Sequence, residues 1–124
     1  IKANAAAIAT VGIFFPFIIS AILKTAQGSS TVAIVTTAGI LGSYAATDSL
    51  MVALGLNNPV LAALAVMAIG AGAMTVSHAN DSYFWVVTNF GQMKAEEGYL
   101  TQTAVTLVMG IAAMAGIFAV SLFF

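Results

Sequence analysis

The sequence predicts an all-α integral membrane protein, and three observations lead to this fold class. Hydrophobic residues make up 61% of the 124 residues, whereas charged residues make up only 6%. An average soluble domain has roughly 25% charged residues, so this chain lacks the side chains that would cover a soluble surface. The few charged residues are widely spaced, and two short polar stretches interrupt otherwise apolar segments.

The spacing of the charged residues leaves room for several membrane-spanning segments. The uncharged stretches contain 21 residues between Lys2 and Lys24, 23 between Lys24 and Asp48, 32 between Asp48 and Asp81, and 27 after Glu97. An apolar run of about 18 residues or more is long enough to cross the hydrocarbon core as a helix. Because lipid offers the backbone no hydrogen-bond partners, helix is the expected structure of these stretches.

Charge and residue content exclude several classes of function. The net charge is −1, which gives the chain no basic surface for nucleic acid. There is no cysteine and only one histidine, so we expect no disulfide framework and no metal site, and no motif indicates a cofactor. An intramembrane enzyme would need a nucleophile and a base on one face, whereas Ser77 and His78 are adjacent and successive helical residues face apart. We therefore do not expect an enzyme.

The first apolar segment runs from about Ala5 to Ala26 and contains Pro16 in its middle. Proline removes a hydrogen bond in a helix interior but is tolerated at the first helical position. Two structures are therefore open, namely one long helix kinked at Pro16, or a helix that ends near Phe15 and a second helix from Pro16 to Ala26. The second helix would measure about 16 Å, which is about half of the hydrocarbon thickness.

The first polar break, Gln27 to Thr31, separates this segment from a second apolar arm. The second arm extends from Val32 to about Ala46. Two short apolar arms around a polar tip predict a re-entrant helical hairpin. The non-helical backbone of such a tip has to be buried by protein or to line a cavity.

The second polar break, Ser77 to Ser82, interrupts another apolar segment. Residues 47–58 are expected to connect this segment to the hairpin, and Pro59 is a favourable first residue for the next helix. The apolar run continues to Val76, and apolar residues resume at Tyr83. An apolar helix interrupted by a polar patch is typical of a discontinuous transmembrane helix.

The C-terminal part of the chain predicts one further span. Gly91 to Thr103 is the most hydrophilic stretch and is expected to be a loop or a surface helix. Ala104 to Phe124 is an apolar stretch of 21 residues and predicts a final transmembrane helix. The chain has only three basic residues, so the positive-inside rule leaves its orientation open.

Ionisable residues at the two breaks have a structural and a functional interpretation. Lys24 is either an interfacial lysine that extends to the headgroups or a counter-charge for a substrate carboxylate. Asp81 is either the N-cap of the following helix or, with His78 beside it, an intramembrane group that carries a proton. Asp48 lies in an expected loop, which favours a solvated or capping role.

Two motifs resemble signatures of the gluconate permease (GntP) family. In residues 23–33, LKTAQGSSTVA, a basic residue precedes Ala-Gln-Gly-Ser, and Thr-Val-Ala follows. In residues 70–85, GAGAMTVSHANDSYFW, a Gly-Ala-Gly run precedes Ser-His-x-Asn-Asp and then Phe-Trp. The chain differs from the family pattern at Lys24, where arginine is expected, and at Tyr83, where glycine is expected.

The resemblance implies a cation symporter for gluconate or related sugar acids, in a family whose other members handle D-serine or hydroxy acids. It also implies two inverted repeats, each with a hairpin and a broken helix. Residues 1–124 would then be the C-terminal transmembrane portion, with the second repeat, of a longer multi-pass transporter in the bacterial inner membrane.

The polar breaks and the resemblance together predict a proton symporter for gluconate, a related sugar acid or a small hydroxy monocarboxylate. Sodium is left open as the coupling ion, because oxygens at the breaks are suitable ligands. The expected substrate contacts are Lys24, Gln27, Gly28, Ser29, Ser30, Thr31 and Asn80, and the expected proton-coupling residues are His78 and Asp81.

The expected partners are a small organic acid anion, the coupling ion and the lipid bilayer, and a homo-oligomer is left open. The alternative function is a non-transporting membrane subunit that packs in a larger complex. That alternative accounts for the composition, but it does not account for two polar breaks at membrane depth.

Overall fold

The computed structural model describes residues 11–43, 45–56 and 58–123. All regular structure in these ranges is helical, which confirms the predicted all-α class. A π-helical turn, Tyr99–Thr103, precedes the last helix. The helices are α1 (Phe14–Gln27), α2 (Ser30–Leu41), α3 (Leu50–Ala53), α4 (Pro59–Met74), α5 (Ser82–Phe90), α6 (Ala95–Gly98) and α7 (Ala104–Ser121).

The first segment matches neither expected form in full. Residues 11 and 12 are helical, Ile13 forms a turn, and α1 begins two residues before Pro16. Pro16 therefore lies in the first turn of α1, where its missing N–H leaves no helical hydrogen bond unmade. The predicted start of the segment at Ala5 lies outside the described residues.

Helices α1 and α2 form a helical hairpin with a two-residue connection. Gly28 ends α1 with a left-handed φ of 77°, and Ser29 caps α2 by accepting a hydrogen bond from the Val32 N–H at 3.3 Å. Helix α2 ends at Leu41, five residues before the expected end, where Gly42 adopts a φ of 75°.

The second apolar segment begins where the sequence predicts. Pro59 is the first residue of α4, and Asn58 Oδ1 accepts a hydrogen bond from the Val60 N–H at 2.9 Å. The expected connection before it contains the short helix α3, and its residue Asn57 lies outside the described residues. Helix α4 ends at Met74, and the non-helical residues 75–81 separate it from α5.

The C-terminal helix is longer than predicted. Helix α6, the π-helical turn and α7 form one continuous apolar helix, Ala95–Ser121, whose 27 residues are enough to cross a membrane. Its first turn is polar because Glu96 and Glu97 are exposed there, and Glu97 Oε2 accepts a hydrogen bond from the Lys94 N–H at 2.9 Å. The hydrophilic stretch is therefore mostly the beginning of a helix.

The apolar core lies between α1, α4 and α7. Gly72 lets α1 and α4 approach closely, because a Cβ there would overlap the Phe17 carbonyl oxygen. Nearby, Ser20 Oγ donates a hydrogen bond to the Ile69 carbonyl oxygen at 2.8 Å. This packing holds the end of α1 beside the end of α4, and it therefore brings the two polar breaks together.

Candidate functional site

The two polar breaks meet at the ends of α1 and α4. Gly28 is a point of close approach, since a Cβ there would overlap the carbonyl oxygen of Asn80. Asn80 Nδ2 donates a hydrogen bond to the Ala26 carbonyl oxygen at 2.8 Å. His78 Nε2 lies 3.0 Å from the Thr25 carbonyl oxygen. These contacts join the last turn of α1 to the second break.

A buried ion pair lies between the breaks. Lys24 Nζ is 2.6 Å from Asp81 Oδ2, and the two side chains are only 2% and 8% exposed. Lys24 Nζ also donates to the Gly28 carbonyl oxygen at 3.0 Å, and Ser77 Oγ donates to Asp81 Oδ2 at 2.8 Å. Burial of two charges carries a large desolvation cost, so each charge depends on its partner and on these hydrogen bonds.

Asp81 caps α5, as one of its two expected roles requires, and it also pairs with Lys24. Its Oδ1 accepts a hydrogen bond from the Tyr83 N–H at 3.1 Å and so caps α5, while its Oδ2 contacts Lys24. Lys24 lies on the buried face of α1 and extends toward Asp81. Its side chain is therefore buried beside Asp81 in the described structure, and its role toward a substrate carboxylate stays a prediction.

A cavity of about 460 Å³ borders the ion pair. This volume is in the range of small-molecule sites, roughly 300–1,000 Å³. Helices α1, α2, α4, α5 and α7, the π-helical turn and the second break all contribute to it. The polar lining residues are Lys24, Ser30, Ser77, Asp81, Tyr83, Gln102 and Thr106, and the apolar ones are Met74, Val105 and Met109.

The residues predicted from the sequence fall into two groups. Lys24, Ser30 and Asp81 line the cavity, and Ser30 Oγ donates a hydrogen bond to the Ala73 carbonyl oxygen at 2.9 Å. The others lie outside its lining and mostly hold the hairpin tip or the break in shape. They are Gln27, Gly28, Ser29, Thr31, His78 and Asn80.

The C-terminal helix, Ala95–Ser121, contributes cavity residues that were not predicted from the sequence. Gln102, Val105, Thr106 and Met109 recur at helical spacing and share one face, which forms one side of the cavity. Their periodicity is visible in the sequence. The expected boundary between the hydrophilic stretch and the final span falls after Thr103. It separates Gln102 from the other three residues, so the sequence did not predict that all four lie on one helix.

The site suggests how a cation would be accommodated. Among the described residues, no three His, Asp or Glu side chains are grouped as metal ligands. The Lys24 ammonium itself lies between a carboxylate oxygen of Asp81 and the carbonyl oxygen of Gly28. Carboxylate and carbonyl oxygens are the ligands that hard cations prefer. In this structure the Lys24 ammonium occupies the position between these two oxygens.

Comparison with known proteins agrees with the motifs. A sequence model described as GntP family permease matches residues 3–123. The inner membrane permease YgbN of Escherichia coli (strain K12) is 40% identical over 94 residues, which cover 76% of this chain and 19% of that protein. The gluconate permease of Pseudomonas aeruginosa is 32% identical over 110 residues, which cover 89% of this chain and 22% of that protein.

A third relative extends the range of named substrates. The Gnt-II system L-idonate transporter of Escherichia coli (strain K12) is 32% identical over 105 residues, covering 83% of this chain and 21% of that protein. The chain therefore spans about a fifth of the length of these relatives. No solved structure matches the chain.

Proposed function

The chain belongs to the GntP family of permeases, and we propose that it forms part of a proton symporter for gluconate, a related sugar acid or a small hydroxy monocarboxylate. Membership of a permease family agrees with the expectation that the chain is not an enzyme. The relatives named as a gluconate permease and an L-idonate transporter support sugar acids as the substrate class. The observation that carries the proposal is the buried Lys24–Asp81 pair beside the cavity.

We place this symporter in the bacterial inner membrane as a multi-pass protein, with residues 1–124 as its second-repeat portion. The relative named as an inner membrane permease supports this location. Helices α1 and α2 have 14 and 12 residues, which is short for a span and suits a re-entrant hairpin. The interruption between α4 and α5 suits a discontinuous transmembrane helix.

Charge balance explains why an anion and a proton would bind together. Without substrate, Lys24 and Asp81 neutralise each other. A substrate carboxylate that contacts Lys24 would leave one excess negative charge, which is costly at membrane depth. A proton on Asp81 would remove that excess. Ser30 and Ser77 line the same cavity, and their hydroxyl oxygens would accept hydrogen bonds from substrate hydroxyls while their O–H groups donate to Ala73 and Asp81.

A proton suits this arrangement better than sodium does. The Lys24 ammonium already contacts the Asp81 carboxylate and the Gly28 carbonyl oxygen, two oxygens that a sodium ion would use. A role for His78 in proton transfer stays a prediction, because its Nε2 contacts the Thr25 carbonyl oxygen, away from the cavity lining.

Uptake of labelled gluconate by cells that express the full-length permease tests the proposal. The assay is run with and without a protonophore, with sodium present or replaced, and with unlabelled sugar acids, D-serine and hydroxybutyrate as competitors. We expect saturable uptake that the protonophore abolishes and that does not require sodium, and the strongest competitor identifies the substrate class. If neither gluconate nor any competitor is taken up when labelled, the proposal fails and the non-transporting subunit is favoured.

A further inference from the structure

We infer that the C-terminal helix is part of the transport site, with Thr103 and Thr106 as positioning residues that hold Ser77 and, through it, Asp81. The inference rests on the proposed function, which assigns the coupling proton to Asp81. Neither threonine belongs to the two family-like motifs, and both lie on a helix whose sequence reads as an ordinary span.

The two threonines hold both backbone polar groups of Ser77. Thr106 Oγ1 accepts a hydrogen bond from the Ser77 N–H at 2.9 Å, and Thr103 Oγ1 donates one to the Ser77 carbonyl oxygen. Ser77 lies in the break after α4, where no helical partner is available, and it is only 1% exposed. Buried backbone groups need partners, and here the partners come from the C-terminal helix.

One further hydrogen bond connects the threonine pair to the ion pair. Ser77 Oγ donates to Asp81 Oδ2 at 2.8 Å, the same oxygen that contacts Lys24 at 2.6 Å. Lys24 in turn donates to the Gly28 carbonyl oxygen at the hairpin tip. A continuous series of contacts therefore runs from α7 through the break to the hairpin. A change in the position of Ser77 would change the environment of both charges.

The residues that precede Ser77 pack closely against α7. Val76 has a φ of 57°, which a β-branched residue rarely adopts and which persists only where neighbouring contacts hold it. Gly110 packs against Thr75, because a Cβ there would overlap the Thr75 hydroxyl. Thr103 ends the π-helical turn, and such turns often occur at functional sites.

A purely structural role for the threonines makes a different prediction. If they only satisfy the buried backbone, their loss lowers the amount of folded permease and leaves each folded molecule unchanged. If they position Asp81, their loss changes the transport rate of each folded molecule. The test therefore needs the rate per folded permease and the free energy of unfolding, both measured on the full-length protein.

Thr106→Val removes the hydroxyl and keeps the shape of the side chain, and Thr106→Ser keeps the hydroxyl. We expect Thr106→Val to lower the maximal uptake rate per folded molecule about three- to tenfold, the range of one lost hydrogen bond, with a smaller change in KM. Thr106→Ser should stay near the wild-type rate. Thr101→Val is the matched control, since Thr101 lies on the same continuous helix, is exposed and donates a hydrogen bond to the Glu97 carbonyl oxygen.

A double-mutant cycle of Thr106→Val and Asp81→Asn in thermal unfolding gives a readout that does not depend on transport. Non-additive effects are expected if Thr106 acts on Asp81 through Ser77. Additive effects, or a Thr106→Val variant with the wild-type rate per folded molecule, would overturn the inference. If the wild-type permease takes up no substrate, the proposed function fails. The double-mutant cycle in thermal unfolding then still decides whether Thr106 positions Asp81.

Discussion

Helices α4 and α7 are held together in two different ways along their length. At the break, single residues make specific contacts, such as the hydrogen bonds of Thr103 and Thr106 to Ser77 and the packing of Gly110 on Thr75. Farther along, the helices border an apolar groove of about 560 Å³. Its lining comprises Leu64, Met67, Ala71, Met74, Ala113, Gly116, Ile117 and Val120.

The two regions should differ in how well they tolerate substitution. Each contact at the break depends on one side chain or on a glycine, which has no Cβ. The buried charges beside the break have few alternative partners. The groove is apolar and open, so its stabilisation is shared among many side chains. Substitutions should therefore be costly at the break and mild in the groove, and the following variants test that contrast.

The largest effect is expected from Lys24→Met, which leaves Asp81 buried without its partner. Removal of one member of a buried ion pair costs about 3–5 kcal/mol, so thermal unfolding of the purified permease should occur at a clearly lower temperature. Lys24→Met combined with Asp81→Asn should recover much of that stability, since asparagine also caps a helix, yet uptake should stay absent. A Lys24→Met variant as stable as the wild type would contradict the buried ion pair of Lys24 and Asp81.

Gly28→Ala should have the next largest effect. The substitution places a Cβ against the Asn80 carbonyl oxygen and forces alanine into a φ of 77°, so we expect a loss of about 2–4 kcal/mol in unfolding free energy. Gly39→Ala in α2 is the control, because a Cβ there meets no atom within 4 Å. The control should be neutral or up to about 1 kcal/mol more stable. Equal effects would argue against the contact between the breaks.

Gly110→Ala and Gly116→Ala compare the two regions on one helix. At Gly110 a Cβ would overlap the Thr75 side chain, and overpacking of this kind costs about 1–3 kcal/mol. At Gly116 a Cβ meets no atom within 4 Å and would project into the groove, so no loss of stability is expected. Thermal unfolding of the two variants measures the contrast directly. Equal unfolding free energies of the two variants would contradict a close packing of α7 against the break.

The smallest effect on stability is expected at the hairpin tip. Gln27 and Thr31 are exposed, so their alanine variants should stay within about 0.5 kcal/mol of the wild-type unfolding free energy. The KM for uptake should rise less in these variants than in Ser30→Ala, because Ser30 lines the cavity. A rise in KM for Gln27→Ala as large as that of Ser30→Ala would place the tip in contact with substrate, as the sequence predicts.

Features that depend on local sequence were predictable. The all-α class follows from the composition, and the start of α4 follows from Pro59 at its first position with Asn58 as its cap. The polar breaks are visible because uncharged apolar runs surround them. The end of α2 at Leu41 was missed, because the apolar run continues past Gly42, whose positive φ ends the helix.

Features that depend on tertiary packing were not predictable. The pairing of Lys24 with Asp81 requires α1 and α4 to approach at Gly72, a contact between segments far apart in the chain. The role of Thr106 depends on the partner across the helix interface. A loop and a surface helix were both left open for Gly91–Thr103, because charge alone does not distinguish a loop from the exposed first turn of a long helix.

Proton movement in proteoliposomes tests most directly whether Asp81 carries the coupling proton, as we propose. The full-length permease and its Asp81→Asn variant are reconstituted, gluconate is added outside, and the internal pH is followed. We expect wild-type protein to acidify the interior on addition of gluconate, and the variant to exchange labelled for unlabelled gluconate without acidification. An Asp81→Asn variant that acidifies the interior as strongly as the wild type would contradict the claim.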